Sequence, residues 1–261
     1  MSNAEVLSNV ATAQMSIAKS SVGVFELPCG FLDEEGTRHT EVEVREMTGA
    51  EEDLLVSKNI PTGRKMSELL VRCTTRIGTI VDREAIGAAV RKMVVGDRVF
   101  LMFAIRRVTL GDSYTLTTKC PSCETESSPV VDLSELGIKQ MPNPAERVWE
   151  ETLPSGMMAR LRVLTGEGED RIEELSKKNK TDTMSIGMLV RIEMLGGVPA
   201  TLQAVKALSS RDRNAIRTSF DAHDGGVDTS IDFGCPHCGH EYKEDMDLQT
   251  GFFFPSAARK I

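Results

Sequence analysis

Four of the six cysteines stand in two short pairs, at a spacing typical of zinc sites. The pairs are Cys120-Pro-Ser-Cys123 and Cys235-Pro-His-Cys238, the two CPxC motifs, whereas Cys29 and Cys73 stand alone. A Cys-x-x-Cys turn supplies two thiolates, and a structural zinc ion takes four ligands in a closed tetrahedron that leaves no position for water or substrate. The spacing therefore predicts one structural zinc ion per chain, bound by Cys120, Cys123, Cys235 and Cys238.

Three other interpretations of the CPxC motifs stay open. A Cys-x-x-Cys can be a redox pair, although the strand followed at once by a helix, as in thioredoxin-like proteins, is missing here. His237 or His240 could replace a cysteine and give separate sites, although the first motif has no nearby histidine. The thiols could also be unliganded remnants of a former site.

Composition and charge exclude several classes of protein. The chain has 261 residues, of which 40% are hydrophobic, enough for one large domain or two. A net charge of -8 opposes sequence-independent binding of nucleic acid. The longest apolar run, residues 99–105, is far shorter than the roughly 20 residues of a membrane helix. No secretory signal is evident, so we expect a reducing cytosolic compartment in which cysteines stay reduced.

No motif of an enzyme is present. The chain has no phosphate-binding loop, no nucleophile elbow and no HExxH sequence. Asp170, Glu173 and Glu174 resemble paired carboxylates, but Lys177 and Lys178 follow one turn later, which is the pattern of a solvated helix face. The sequence therefore predicts a protein without catalytic residues and without a small-molecule substrate.

The chain contains an internal repeat with a displacement of 115 to 117 residues. The stretch REMTGAEED at 45–53 returns as RVLTGEGED at 162–170. Three further features recur in the same order: the LPCG and LPSG turns, the Asp-Arg pairs at 97–98 and 212–213, and the CPxC motifs. This order predicts a duplication with an N-terminal arm at residues 1–23, a first repeat at 24–142 and a second repeat at 143–261.

The patterning of each repeat indicates a strand followed by helices. Val42 and Val44 alternate with charged residues, which is the period of a half-buried strand. Thr48 and Glu51 form a capping box that predicts a helix start, and Asp97 and Asp212 are each expected to open a helix. Helical faces are predicted at Met66, Leu69, Leu70, Cys73 and Ile77, and at Met188, Leu189, Ile192 and Leu195.

The predicted fold class is α+β. It consists of two duplicated subdomains with small sheets and helices, joined by the two CPxC motifs in the manner of a zinc ribbon. The arm at residues 1–23 is expected either to order on a neighbouring subunit or to lack order. The rings at 252–254 are expected either to pack beside the CPxC motifs or to leave one ring for a partner.

The ordered motifs resemble the baseplate protein family of tailed bacteriophages, of the T-even hub type. The resemblance extends over nearly the whole chain from Val22 onward and rests on LPCG, MTGAEEDLL, Asp97, Arg106, GDSYTLTTKCPSC, LPSG, LTGEGED, CPHCGHEY and FFFP. It implies a non-enzymatic tail component in or near the hub or wedge. The implied partners are other tail and baseplate proteins, and the implied location is the virion tail, with the host cytoplasm during assembly.

Other functions remain as alternatives. The chain could be an assembly factor that is absent from the mature virion. It could also be a zinc-ribbon regulator that binds nucleic acid, which requires a basic face, but the residues around both CPxC motifs are mostly acidic. A thiol oxidoreductase would need an exposed thiolate of low pKa.

Overall fold

The computed structural model describes residues 22–254, and within them small antiparallel sheets alternate with eight α-helices. The predicted α+β fold class is confirmed. The predicted N-terminal arm lies outside the described residues, apart from its last two, which begin the first strand. Within the described part of the chain, no helix is both long enough and apolar enough to cross a membrane.

The first half of the chain builds a three-stranded sheet covered by helices. The strands pair in the order β1-β2-β3. The elements are β1 Val22–Leu32, β2 Arg38–Arg45, α1 Gly49–Val56, α2 Thr62–Cys73, β3 Thr74–Ile77, α3 Arg83–Lys92 and α4 Val95–Leu110. Short strands that carry the first CPxC motif follow: β4 Ser113–Thr115, β5 Thr118–Lys119, β6 Glu126–Ser127, β7 Val130–Asp132 and β8 Ile138–Lys139.

The second half has a similar order of elements, with one additional strand in its sheet and fewer short strands after its last helix. Its sheet has the strand order β12-β11-β10-β9. The elements are β9 Val148–Thr152, β10 Met158–Arg162, α5 Gly166–Lys178, α6 Thr183–Arg191, β11 Ile192–Leu195, β12 Val198–Pro199, α7 Leu202–Ala207 and α8 Ser210–His223. The strands β13 Gly226–Val227, β14 Ser230–Gly234 and β15 Glu241–Asp245 follow, and a 3-10 helix, Thr250–Phe253, comes last.

The two main sheets share the register of their strands. In the first sheet Val42 lies opposite Ile77, and Val44 lies opposite Thr74 after an irregularity. In the second sheet the pairs are Ala159 with Leu195 and Leu161 with Ile192, again with an irregularity between them. The irregularity therefore lies at the equivalent position of the two sheets.

Helices α1 and α5 begin after Thr48 and Thr165, whereas α4 and α8 begin after Val94 and Ser209 and not at Asp97 and Asp212, as was predicted. Thr48 and Glu51 form the capping box, with the Thr48 amide donating to Glu51 at 2.9 Å, and α1 begins at the next residue. Thr165 caps α5 by accepting from the Gly168 amide at 3.3 Å. A side-chain acceptor here satisfies an amide that has no partner inside the helix.

Two predicted helix faces extended too far. Helix α2 ends at Cys73, and Ile77 lies in β3, where its pairing with β2 holds it in the core. Likewise α6 ends at Arg191, so Ile192 and Leu195 belong to β11. Buried residues at either end of a helix-to-strand junction can share one core, which is why their spacing imitates a longer helix.

Two hydrophobic clusters form the core. One is built mainly from the first half, and the other from the second half around Trp149, Leu161 and Phe220. Phe252 and Phe253 cross over to the first cluster, and each is 1% exposed. The Phe252 ring lies 5.1 Å from that of Phe103. These two rings therefore serve the core, and the C-terminal end of the described chain ties the halves together.

Candidate metal centre

Each CPxC motif lies at the tip of a β-hairpin. Cys120 follows β5 directly, and Cys123 precedes the return strand β6. Cys235 follows β14 directly, and Cys238 precedes β15. Because hairpins hold the ends of their strands together, each motif presents both of its cysteines from one rigid turn.

The two turns share one backbone design. The Glu124 amide donates to the Cys120 carbonyl at 2.9 Å, and the Gly239 amide donates to the Cys235 carbonyl at the same distance. Both donors have positive φ, 58° at Glu124 and 72° at Gly239. A residue other than glycine pays about 1–2 kcal/mol for this conformation, so the first turn keeps its shape against a local cost.

The four cysteine sulfurs form a compact cluster that bridges the two hairpins. The Sγ atoms of Cys120 and Cys238 lie 3.8 Å apart, and those of Cys123 and Cys235 lie 3.6 Å apart. All four lie within 4.8 Å of one another. Sulfurs at about 2.3 Å from a tetrahedral zinc ion are separated by about 3.8 Å, so the cluster has the dimensions of a four-thiolate site. These separations far exceed a disulfide bond of about 2.05 Å.

Protonation of the cluster is uneven. Hydrogen bonding to the side chain and backbone of Thr125 lowers the pKa of Cys123 to about 6. The pKa of Cys238 is raised to about 11. There a backbone hydrogen bond from His240 acts in the opposite direction, but the neighbouring thiols and burial outweigh it. A second thiolate beside the first is disfavoured, and a divalent cation is the charge that would compensate several thiolates at once.

Contacts beside the sulfurs also join the hairpins. Thr118 of β5 donates from its hydroxyl to the Glu244 carboxylate of β15 at 3.0 Å. Cys120 and Cys235 are buried, Cys123 is half-buried and Cys238 is exposed. The site is thus shielded on one side and open to entry of an ion on the other.

The surroundings bear on the alternative interpretations. Among residues 22–254 the cluster contains four cysteines and no histidine. His240 instead stacks on Tyr242, with 6.3 Å between ring centroids. Residues 113–139 and 226–250, which carry both hairpins, contain ten acidic residues against three lysines. Such a charge balance disfavours contact with a phosphate backbone.

The Asp-Arg pairs have a structural role that the sequence did not reveal. Each aspartate does lie in the first turn of a helix, α4 or α8, but its carboxylate binds an LPxG segment. The two segments differ, because LPSG forms the turn between β9 and β10, whereas LPCG, which was also predicted to be a turn, lies within β1 at its irregularity. Asp97 accepts from the Cys29 amide at 2.7 Å, and Asp212 accepts from the Ser155 amide at 3.0 Å. The recurrence in both halves of an aspartate downstream of an LPxG segment was the signal that could have indicated this contact.

The arginines of these pairs also act alike. Arg98 donates to the Val90 carbonyl and to the Ser67 hydroxyl, each at 2.8 Å. Arg213 donates to the Val205 carbonyl at 3.0 Å and to the Ser185 hydroxyl at 3.2 Å. The two carbonyl acceptors are 115 residues apart in the chain, and the two hydroxyl acceptors are 118 residues apart.

The fold and the site together define a class of α+β proteins in which a four-cysteine cluster, suited to a metal ion, ties two halves of one chain. The chain belongs to the T4 bacteriophage base plate protein family, whose sequence model matches residues 32–253. No curated protein and no solved structure matches the chain significantly. Membership supports a structural, non-enzymatic role in the baseplate, in the virion tail among other phage proteins. The resemblance expected from the motifs is confirmed.

Proposed function

We propose that this chain is a structural component of the tail baseplate, in the hub or wedge, that binds neighbouring virion proteins and is held together by one zinc ion. The family match over residues 32–253 supports the role in the baseplate. The observation that carries the zinc site is the cluster of Cys120, Cys123, Cys235 and Cys238, with sulfurs at separations that suit a tetrahedral ion.

The zinc ion would act as a clamp between the halves. When bound, the zinc ion would attract the four thiolates and would supply no catalytic chemistry, because its closed ligand shell leaves no position for water or substrate. Structural zinc contributes roughly 10–16 kcal/mol in small peptides, as much as the net stability of a whole domain. A rigid joint between halves suits a protein whose surface must keep its shape among many neighbours.

The division into a first repeat at 24–142 and a second at 143–261 is part of the same proposal. It is supported by the similar element order, the shared strand register and the similar contacts of Arg98 and Arg213. It is also supported by the two CPxC turns, whose hydrogen bonds correspond one to one. Duplication explains why one chain has two half-sites for a single ion.

Metal content tests the clamp. Native mass spectrometry of the full chain should find one zinc ion, which the variants Cys120→Ser and Cys235→Ser should each lose. His237→Ala is the matched control, because His237 lies in the second CPxC turn outside the cluster. A folded chain without zinc, or a variant at Cys235 that keeps its ion, would refute the shared site.

Particle composition tests the role in the baseplate. Mass spectrometry of purified virions should detect the chain in the tail fraction at a fixed stoichiometry to other tail proteins. Absence from mature particles, together with loss of tails when the gene is disrupted, would instead identify an assembly factor of the host cytoplasm.

A further inference from the structure

The two halves contact each other through two different surfaces. The corner between α3 and α4 in the first half receives the start of α5 in the second. The Val95 amide donates to the Leu164 carbonyl at 2.9 Å, and the Gly166 amide donates to the Met93 carbonyl at 3.1 Å. Arg98 pairs with Glu169, with 2.8 Å between Nε and Oε2. We name these the corner surface and the helix-start surface.

The first half has its own helix-start surface, and it is exposed. Thr48, Gly49 and Glu52 of the first half are the counterparts of the residues at the start of α5, and all three are exposed. The cap residues have the same backbone conformation, with φ -119° and ψ 175° at Thr48, and φ -116° and ψ 170° at Thr165. The geometry that makes the contact in the second half is therefore already formed in the first.

The second half likewise has an exposed corner surface, between α7 and α8. Ser209 has φ -60° and ψ 153°, against -64° and 148° at its counterpart Val94. Arg213 repeats the internal hydrogen bonds of Arg98. Within residues 22–254 its Nε has no hydrogen bond, although the equivalent Nε of Arg98 binds a carboxylate.

No contact within the described residues requires a glycine at position 49. A Cβ on Gly166 would lie 2.7 Å from the Arg91 carbonyl oxygen, so the contact between the halves requires glycine there. A Cβ on Gly49 would meet nothing within 4 Å. Gly49 therefore leaves room for another molecule to approach its backbone as closely as the first half approaches Gly166.

An apolar pair completes the two exposed surfaces. Met66 lines the groove under α5 together with Glu173 and is 9% exposed. Its counterpart Met184 is 70% exposed. Val56 replaces Glu173 at the matching place of α1 and is 55% exposed. A second copy docked by the same geometry would bring this valine to Met184 and Glu52 to Arg213.

We propose that copies of this chain associate head to tail, with the helix-start surface of one copy on the corner surface of the next. The proposal rests on the duplication proposed above and extends the contact between the halves of one chain to the contact between chains. Because Ser209 and Ser210 replace Val94 and Val95, the second contact buries fewer apolar groups and is the weaker of the two. A head-to-tail contact builds a ring or a helical array.

Sedimentation of the full chain over a range of concentrations tests this. The expected result is a concentration-dependent series that extends beyond the dimer. Val56→Lys and Met184→Glu should each raise the dissociation constant about tenfold or more, since each places a charge against an apolar partner. The chain that carries both substitutions should regain association, because the new charges face each other across the contact.

The controls separate docking from folding. Val56 and Met184 are both exposed, so these variants should keep the thermal stability of the original chain. Val198→Glu, at a site 61% exposed outside both surfaces, should leave association unchanged. Gly49→Val should block docking by bulk alone.

Three results would overturn the proposal: a chain that stays monomeric, association that stops at a dimer, or a double variant that is no better than the single ones. None of these would affect the baseplate role, which particle composition tests separately. The duplication would also stand, because it rests on contacts within one chain.

Discussion

The buried carboxylate of Asp97 has a hydrogen-bond partner for only one of its two oxygens among the described residues. One oxygen accepts from the Cys29 amide at 2.7 Å, whereas Oδ2 is buried with no hydrogen-bond partner among the described residues. Burial raises the pKa of Asp97 to about 6, although hydrogen bonds from Cys29 and the charge of Arg147 oppose the shift. The charged form is therefore costly in the fold at neutral pH.

The magnitude follows from the two pKa values. The pKa of Asp97 is 3.8 in the unfolded chain and about 6 in the fold. This difference lowers the free energy of unfolding by about 3 kcal/mol as the pH rises from about 4 to above 6. The sign is that of an acid with a raised pKa, because the folded state holds the proton to higher pH than the unfolded state. Asp97→Asn keeps an acceptor for Cys29 and gives up about 1 kcal/mol of charge-assisted hydrogen bonding. We expect a net gain of about 1–2 kcal/mol at pH 7.5.

Denaturant unfolding at two pH values checks this expectation. Asp97→Asn should stabilise at pH 7.5 and be nearly neutral at pH 4.5, where Asp97 is already protonated. Asp97→Ala should destabilise at both, since the Cys29 amide is left without an acceptor. Asp212→Asn is the matched control with the opposite sign. There hydrogen bonds from Ser209 and Ser155 outweigh burial and lower the pKa, so the neutral side chain should destabilise at pH 7.5. Equal effects of Asp97→Asn at both pH values would refute the reasoning.

Three further predictions concern packing and the clamp. Phe253→Ala should cost about 3–5 kcal/mol in denaturant unfolding, because the ring is 1% exposed, and an unchanged midpoint would contradict this. Gly166→Ala should destabilise the chain, whereas Gly49→Ala should stabilise the monomer by up to about 1 kcal/mol. Thermal unfolding at low concentration tests this pair, and midpoints that shift in the same direction would contradict it. A chelator should lower the melting temperature of the original chain but not that of Cys120→Ser, and equal shifts would exclude the clamp.

Local signals predicted much of the fold. The capping box at Thr48 marked the start of α1, because its two hydrogen bonds are made within one turn. The alternation around Val42 and Val44 marked β2 for a similar reason, since its period depends only on which face is buried. The ends of α2 and α6 could not be predicted, because they depend on where a strand pairs with β2 or β10.

The candidate site was predicted as a set of residues but not as a geometry. The spacing of Cys120 and Cys123 indicated a ligand pair, and the repeat indicated that the second pair would join it. The roles of Asp97 and Phe253 were not accessible in this way. Asp97 contacts Cys29, 68 positions away, and Phe253 packs into the hydrophobic cluster that is built mainly from the first half. No local sequence pattern encodes contacts over such separations.

The sequence by itself determined the chemistry of four thiols in paired turns, the recurrence of short motifs and the acidic surroundings of both CPxC motifs, because these depend on residue type and short-range spacing. Only the tertiary structure decided that the sulfurs of the two hairpins meet at 3.6 and 3.8 Å. It also decided which copy of each repeated surface is buried and which is exposed. Residues that share a local pattern acquire unequal environments when the two halves of the chain contact each other through different faces, and that asymmetry exists only in the folded chain.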